Sequence, residues 1–120
     1  MSGYFIWAAQ VYAASMLPEL IGEWAHRTDS CGKGGLLHIT RSGYTGVDDE
    51  GFGCDLKSIR RPDLSFETWT IEASCSGENP KKVTIRSIFN LQKFEGSDLL
   101  VVVDLLSNRT EVSVYRRCKQ

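Results

Sequence analysis

The chain is short of most of what catalysis, metal binding and membrane spanning require. Its 120 residues hold two histidines, three prolines and four cysteines. No two cysteines form a C-x-x-C pair, so no metal or cofactor is expected. With 14 basic against 15 acidic residues the net charge is -1, and no global field draws the protein to nucleic acid or an anionic membrane. No apolar run approaches the roughly 20 residues that a membrane-spanning helix needs. After Pro18 there is no helical period of useful length. The apolar residues alternate instead, as those of half-buried strands do.

What is present fits one small exported domain. A chain of this length buries roughly two thirds of its unfolded surface, enough for a core. Cys31, Cys54, Cys75 and Cys118 are an even set in a small domain, which points to two disulfides and a periplasmic or secreted protein. Residues 4–15 have an apolar middle followed by small residues, with Val11-x-Ala13 or Ala13-x-Ser15 as cleavage signals. Residues 1–15 therefore read as a signal-like apolar segment, with a short surface helix as the alternative. Residues 16–120 form the domain.

Within the domain, residues 20–27 read as a first strand with Trp24 pointing inward. Residues 36–41 and 52–59 follow. The clearest period places Trp69, Ile71, Ala73 and Cys75 on one face, with Thr68, Thr70, Glu72 and Ser74 on the other. Val83, Ile85, Phe89 and Leu91 mark the next inward face. Residues 99–106 are apolar at nearly every position, so their second face is expected to be covered by the N-terminal segment or by a second copy in a homodimer. In residues 110–117, Val112, Val114 and Arg116 share parity. Seven short strands joined by turns predict an all-β antiparallel meander, closed into a seven- or eight-stranded barrel that leaves no free edges.

Gly22-x-Trp24 at the head of the first strand, with an arginine late in the last, resembles the calycin group of lipocalin-like barrels. There the tryptophan and arginine pack together and shut the barrel base. The resemblance assigns this role to Gly22, Trp24 and Arg116, with Arg117 as the register alternative. A guanidinium across an indole face contributes about 0.5–2 kcal/mol. The first third of the chain is also similar to small periplasmic inhibitors of secreted zinc metalloproteases. That likeness implies that Ser15, Met16, Leu17 and Pro18 enter a protease cleft, and that Cys31 pairs with Cys54, leaving Cys75 with Cys118. The direction of the strands argues instead for Cys31 with Cys118 and Cys54 with Cys75; the expectation leans to the first pairing. The four-cysteine pattern also looks like uncharacterised secreted proteins of alphaproteobacteria.

Candidate chemistry is sparse. His26 and His38 lie near strand ends, both expected to face outward, and no nucleophile is placed beside them. Asp48, Asp49, Glu50 and Asp55 lack the spacing of a calcium loop and read as a solvated turn. Gly32-Lys33-Gly34-Gly35 lacks the ending and context of a phosphate loop and reads as a connector. Asn108-Arg109-Thr110 is a formal glycosylation acceptor, discounted because the likeness is to bacterial proteins. Tyr44, in a glycine-flanked loop, and Phe66 and Phe94, beside turns, could rim a barrel end as binding anchors. No residues converge as acid, base and nucleophile, so the expectation is a non-catalytic binding protein. It would dock on another protein, a protease among the candidates. The alternatives are a lipocalin-like carrier of a small apolar ligand, with a cavity lined by Trp69, Ile71, Val83, Ile85 and Val101, and a structural or interaction domain.

Overall fold

The structure, a computed structural model, describes residues 11–12, 15–26, 31, 36–46, 53–77 and 81–118. Among the described residues nine strands run in chain order: β1 (Val11–Tyr12), β2 (Gly22–His26), β3 (Leu36–Thr40), β4 (Gly43–Gly46), β5 (Gly53–Arg60), β6 (Thr68–Ser76), β7 (Val83–Phe94), β8 (Ser97–Leu105) and β9 (Thr110–Arg117). Strands β2 to β9 each pair antiparallel with the next, and β9 returns to β2, so eight strands close into a barrel. The expected all-β barrel is what the chain forms.

The expected bounds shift in three places. Leu20, expected to begin the first strand, instead ends a 3₁₀ turn, Pro18–Leu20, and the strand starts at Gly22. Proline fixes φ and lacks an N–H, which suits the first position of a helical turn. Tyr44 belongs to β4 instead of a loop, and its side chain is buried. Of residues 1–15, Val11 and Tyr12 pair with Ile59 and Arg60 of β5, and the Met16 amide donates to the Arg41 carbonyl at 2.8 Å. Val11 and Tyr12 extend the wall below the short β3–β4 hairpin. The cleavage signals at Ala13 fall outside the described residues.

Register explains the core. Residues directly opposite in antiparallel strands share a face, so Trp24, Leu37 and Ile39 face inward with Tyr44, Cys54 and Leu56. Trp69, Ile71, Ala73 and Cys75 join them, as their period requires, with Phe89, Leu100 and Val102. Tyr44 and Phe89 reach across the interior, with ring centroids 5.6 Å apart. A register shift between Leu56 and Ser58 keeps both Leu56 and Ile59 in the core.

The disulfides join Cys31 to Cys118 and Cys54 to Cys75, which overturns the sequential pairing. Cys54 and Cys75 sit directly opposite on β5 and β6, with Cα atoms 4.0 Å apart. Cys31 and Cys118 pack with Ala25 and Leu36 in a small second cluster on the outer wall. Outside β8, Leu99, Val101 and Val103 are half-buried, flanked by Ile88 of β7 and by Val112 and Val114 of β9. The described part of the N-terminal segment lies on β5 and does not cover them.

Candidate functional site

The two ends of the barrel are built differently. At the base, Trp24 is fully buried and its Nε1–H donates to the Leu20 carbonyl at 3.0 Å. The guanidinium carbon of Arg117 stands 4.2 Å from the indole centroid. Arg117 Nε donates to Asp98 at 2.9 Å, Nη1 to the Ile21 carbonyl at 3.1 Å and Nη2 to the Glu19 carbonyl. Five fixed donors suit arginine for this bridging role. Lys93 also reaches Asp98, at 3.1 Å. Burial raises the Asp98 carboxyl, but hydrogen bonds from Lys93 and Arg117, together with their charges, outweigh it and hold the group below its usual range.

Arg117 therefore closes the base, and Arg116 does not. Arg116 pairs with the outward Ala25, and its Nη1 lies 3.7 Å from Cys31 Sγ. Gly22 opens β2 with φ of 141°, a conformation that glycine adopts without penalty. Of the residues expected to form a free arm, Met16 is buried in the core, Leu17 packs against it and Pro18 starts the 3₁₀ turn; Ser15 is exposed. Pro18 lines a shallow basal cleft with Glu67, Lys93 and Asp98. Beside it, Arg61 donates to the carbonyls of Phe66 and Leu64, each at 3.0 Å, and meets Glu67 at 3.0 Å. This staple fixes the β5–β6 loop with Leu64 and Phe66 turned outward, and Phe94 is likewise exposed at the same end.

Toward the other end the interior changes character. The inward positions of β7, β8 and β9 there are Ser87, Asp104 and Glu111, followed by Ser113 and Tyr115. Ser87 is fully buried, and its hydroxyl donates to Asp104 Oδ1 at 2.5 Å. Around these groups lies a cavity of about 80 Å³ lined by Leu37, Tyr44, Ile85, Phe89, Val102, Asp104, Tyr115 and the Cys54–Cys75 disulfide. Burial pushes the Tyr44 phenol up to about 12, against the lowering effect of its hydrogen bond with Ser87, and the Asp104 charge raises it further. Burial also raises Tyr115, which bonds to Ser113 and likewise feels Asp104. Both phenols stay protonated at neutral pH, as hydrogen-bonding groups without charge.

Only part of this was foreseen. Tyr44 lines the interior cavity, as a wall and not as a rim anchor. Of the residues expected to line a carrier cavity, Ile85 does; Trp69 and Ile71 are packed in the core, Val83 is exposed at the end of β7, and Val101 faces outward. Ser87, Asp104 and Tyr115 were missed, although Asp104 shares parity with Leu100 and Val102 in a run otherwise apolar. His26 shares the Trp24 face and stacks on Tyr115 at 4.7 Å, which corrects its outward assignment. His38 faces outward beside Glu23 at 3.8 Å. Among the described residues no His, Cys, Asp and Glu gather as a metal site; Asp55 pairs with Lys82 at 3.1 Å, and Asp48, Asp49 and Glu50 lie outside the described residues.

No protein-family profile, curated protein or solved structure matches the chain.

Proposed function

We propose that the protein is a non-catalytic binding protein of an oxidising, periplasmic or extracellular compartment, and that it takes part of a small ligand into the barrel interior. The observation that carries this reading is the cavity itself. A barrel of eight strands has room to be filled by its own side chains, and the base of this one is packed and sealed. Beneath the other end, three aromatic residues and one carboxylate surround space instead. At about 80 Å³ the space is far below the roughly 300–1,000 Å³ of sites that enclose a whole drug-sized ligand. It suits a headgroup whose remainder stays outside, a narrower role than whole-ligand carriage. The two disulfides and their burial fit export.

The test is native mass spectrometry of the oxidised protein purified from its host, with and without Ile85→Trp, which fills the cavity from its apolar side. A bound mass on the parent and its loss from the variant support the reading. A variant that retains the same mass places the ligand elsewhere.

Docking on another protein is favoured by a separate observation, the exposed Leu64, Phe66 and Phe94 at the basal end, two of them on a loop braced by Arg61. Rigid exposed aromatic residues are efficient anchors. Inhibition of secreted zinc metalloproteases, assayed for the parent and for Phe66→Ser, tests this reading: equal or absent inhibition by both removes the loop from it.

A further inference from the structure

The chemistry of the cavity wall is specific enough to name a ligand class. Among the described residues lining it, Asp104 is the one with a formal charge, and none of them is a lysine or arginine that would neutralise it. Its Oδ1 accepts from Ser87, a neutral donor that orients the carboxylate without cancelling its charge. Tyr44, Phe89 and Tyr115 present aromatic surfaces to the same space, and the electron-rich faces of such rings attract cations. Asp104 is half-buried, and a negative charge drawn partly out of water is costly unless paired; the remaining wall, Leu37, Ile85, Val102 and the disulfide, is apolar. Among the described residues on neighbouring strands, Arg86 pairs with Glu72 at 3.2 Å and Arg109 with Glu111 at 2.9 Å.

We propose that the interior cavity is a headgroup site for a small organic ammonium ion, a primary or methylated amine, held by Asp104 within a cage of Tyr44, Phe89 and Tyr115. The inference rests on the small-ligand reading above and gives it a sign of charge. Size agrees with it. A cavity of about 150 Å³ holds benzene, so about 80 Å³ takes an ammonium and its first carbon atoms. The tail leaves past Ile85 toward Val83, two residues along the same inward face and 57% exposed. A carboxylate ligand meets Asp104 as a like charge. A neutral alcohol can replace the hydrogen bond but not the charge.

The experiment is isothermal titration of the oxidised protein at neutral pH with hexylamine, hexanol and hexanoate, which share a tail and differ in the charge of the head. Hexylammonium is expected to bind, hexanol to bind about tenfold to a hundredfold more weakly, and hexanoate not to bind. In Asp104→Asn the amine should fall to the affinity of the alcohol. Should that variant fail to keep its near-ultraviolet circular dichroism, Ile85→Trp serves instead, because it leaves Asp104 in place and must block hexylammonium. Binding of hexanol or hexanoate as tight as that of the amine overturns the ammonium assignment while leaving the small-ligand reading intact. Amine binding unchanged in a folded Asp104→Asn overturns the role of Asp104, and unchanged binding in Ile85→Trp overturns the site. Failure of all three probes on folded parent protein overturns both.

Discussion

Arg116 and Arg117 are chemically identical neighbours with opposite roles, decided by the pleat. Arg117 faces inward over Trp24 and bridges Asp98 and two backbone carbonyls; Arg116 faces outward. Arg117→Ala strips these partners of their donor at a part-buried site, and we expect a loss of about 2–3 kcal/mol in urea unfolding. Arg116→Ala should cost less than about 1 kcal/mol; equal losses would show that the guanidinium over Trp24 is not what seals the base. The inward parity of β9 was hard to read because Val112 and Val114 are the apolar residues, and apolar residues normally point in. Here Ser113, Tyr115 and Arg117 point in, and the valines lie on the outer wall against β8. Tyr44 offers a second residue-scale test. Its phenol is raised from 10.0 to about 12, so the folded state favours the protonated form. The stability this contributes is complete below pH 10 and is lost as pH rises through about 12. Absorbance titration of tyrosinate should show a late-ionising tyrosine that Tyr44→Phe removes; a parent curve with no such late phase would contradict the burial.

Strands were legible where their period was clean and ambiguous where it was not. β6 alternates at every position from Thr68 to Ser76, so its face followed from the sequence. β8 is apolar on both faces, and periodicity alone could not say that Val102 is inside and Val101 outside. β4 was hidden because its glycines, Gly43 and Gly46, resemble a loop, although they flank a buried Tyr44. The β7–β8 hairpin was legible as a turn, and its geometry is now explicit: Glu95 and Gly96 have φ of 51° and 80°, the signature of a two-residue turn in which both central residues are left-handed. Glycine adopts this freely, whereas glutamate is disfavoured there and asparagine is tolerated. Glu95→Asn should therefore stabilise the protein by about 0.5–1 kcal/mol, read as a higher urea midpoint with unchanged slope. A lower midpoint would mean that the Glu95 side chain supplies something beyond the turn.

On the scale of the whole barrel, closure joins parts far apart in sequence, and this was the least legible level. The cysteine pairing shows why. Cys54 and Cys75 lie opposite each other because β5 and β6 are hairpin neighbours, a relation that strand direction contains and a resemblance confined to the first third of the chain does not. The base depends on the same long-range assembly: Asp98 of β8 binds Lys93 of β7 and Arg117 of β9, and Arg117 in turn holds the backbone ahead of β2. Because these partners hold the Asp98 carboxyl below the usual range of an aspartate, its contribution to stability is present above the unfolded-state value and is lost as pH falls through the lower folded-state one. Asp98→Asn lacks the ionised group at every pH. The variant should be less stable than the parent at neutral pH, and the gap between their melting temperatures should narrow on acidification below about pH 4. A gap that stays constant down to the acid-unfolding limit would mean that Arg117 seals the base through Trp24 and the backbone carbonyls alone, with Asp98 a bystander.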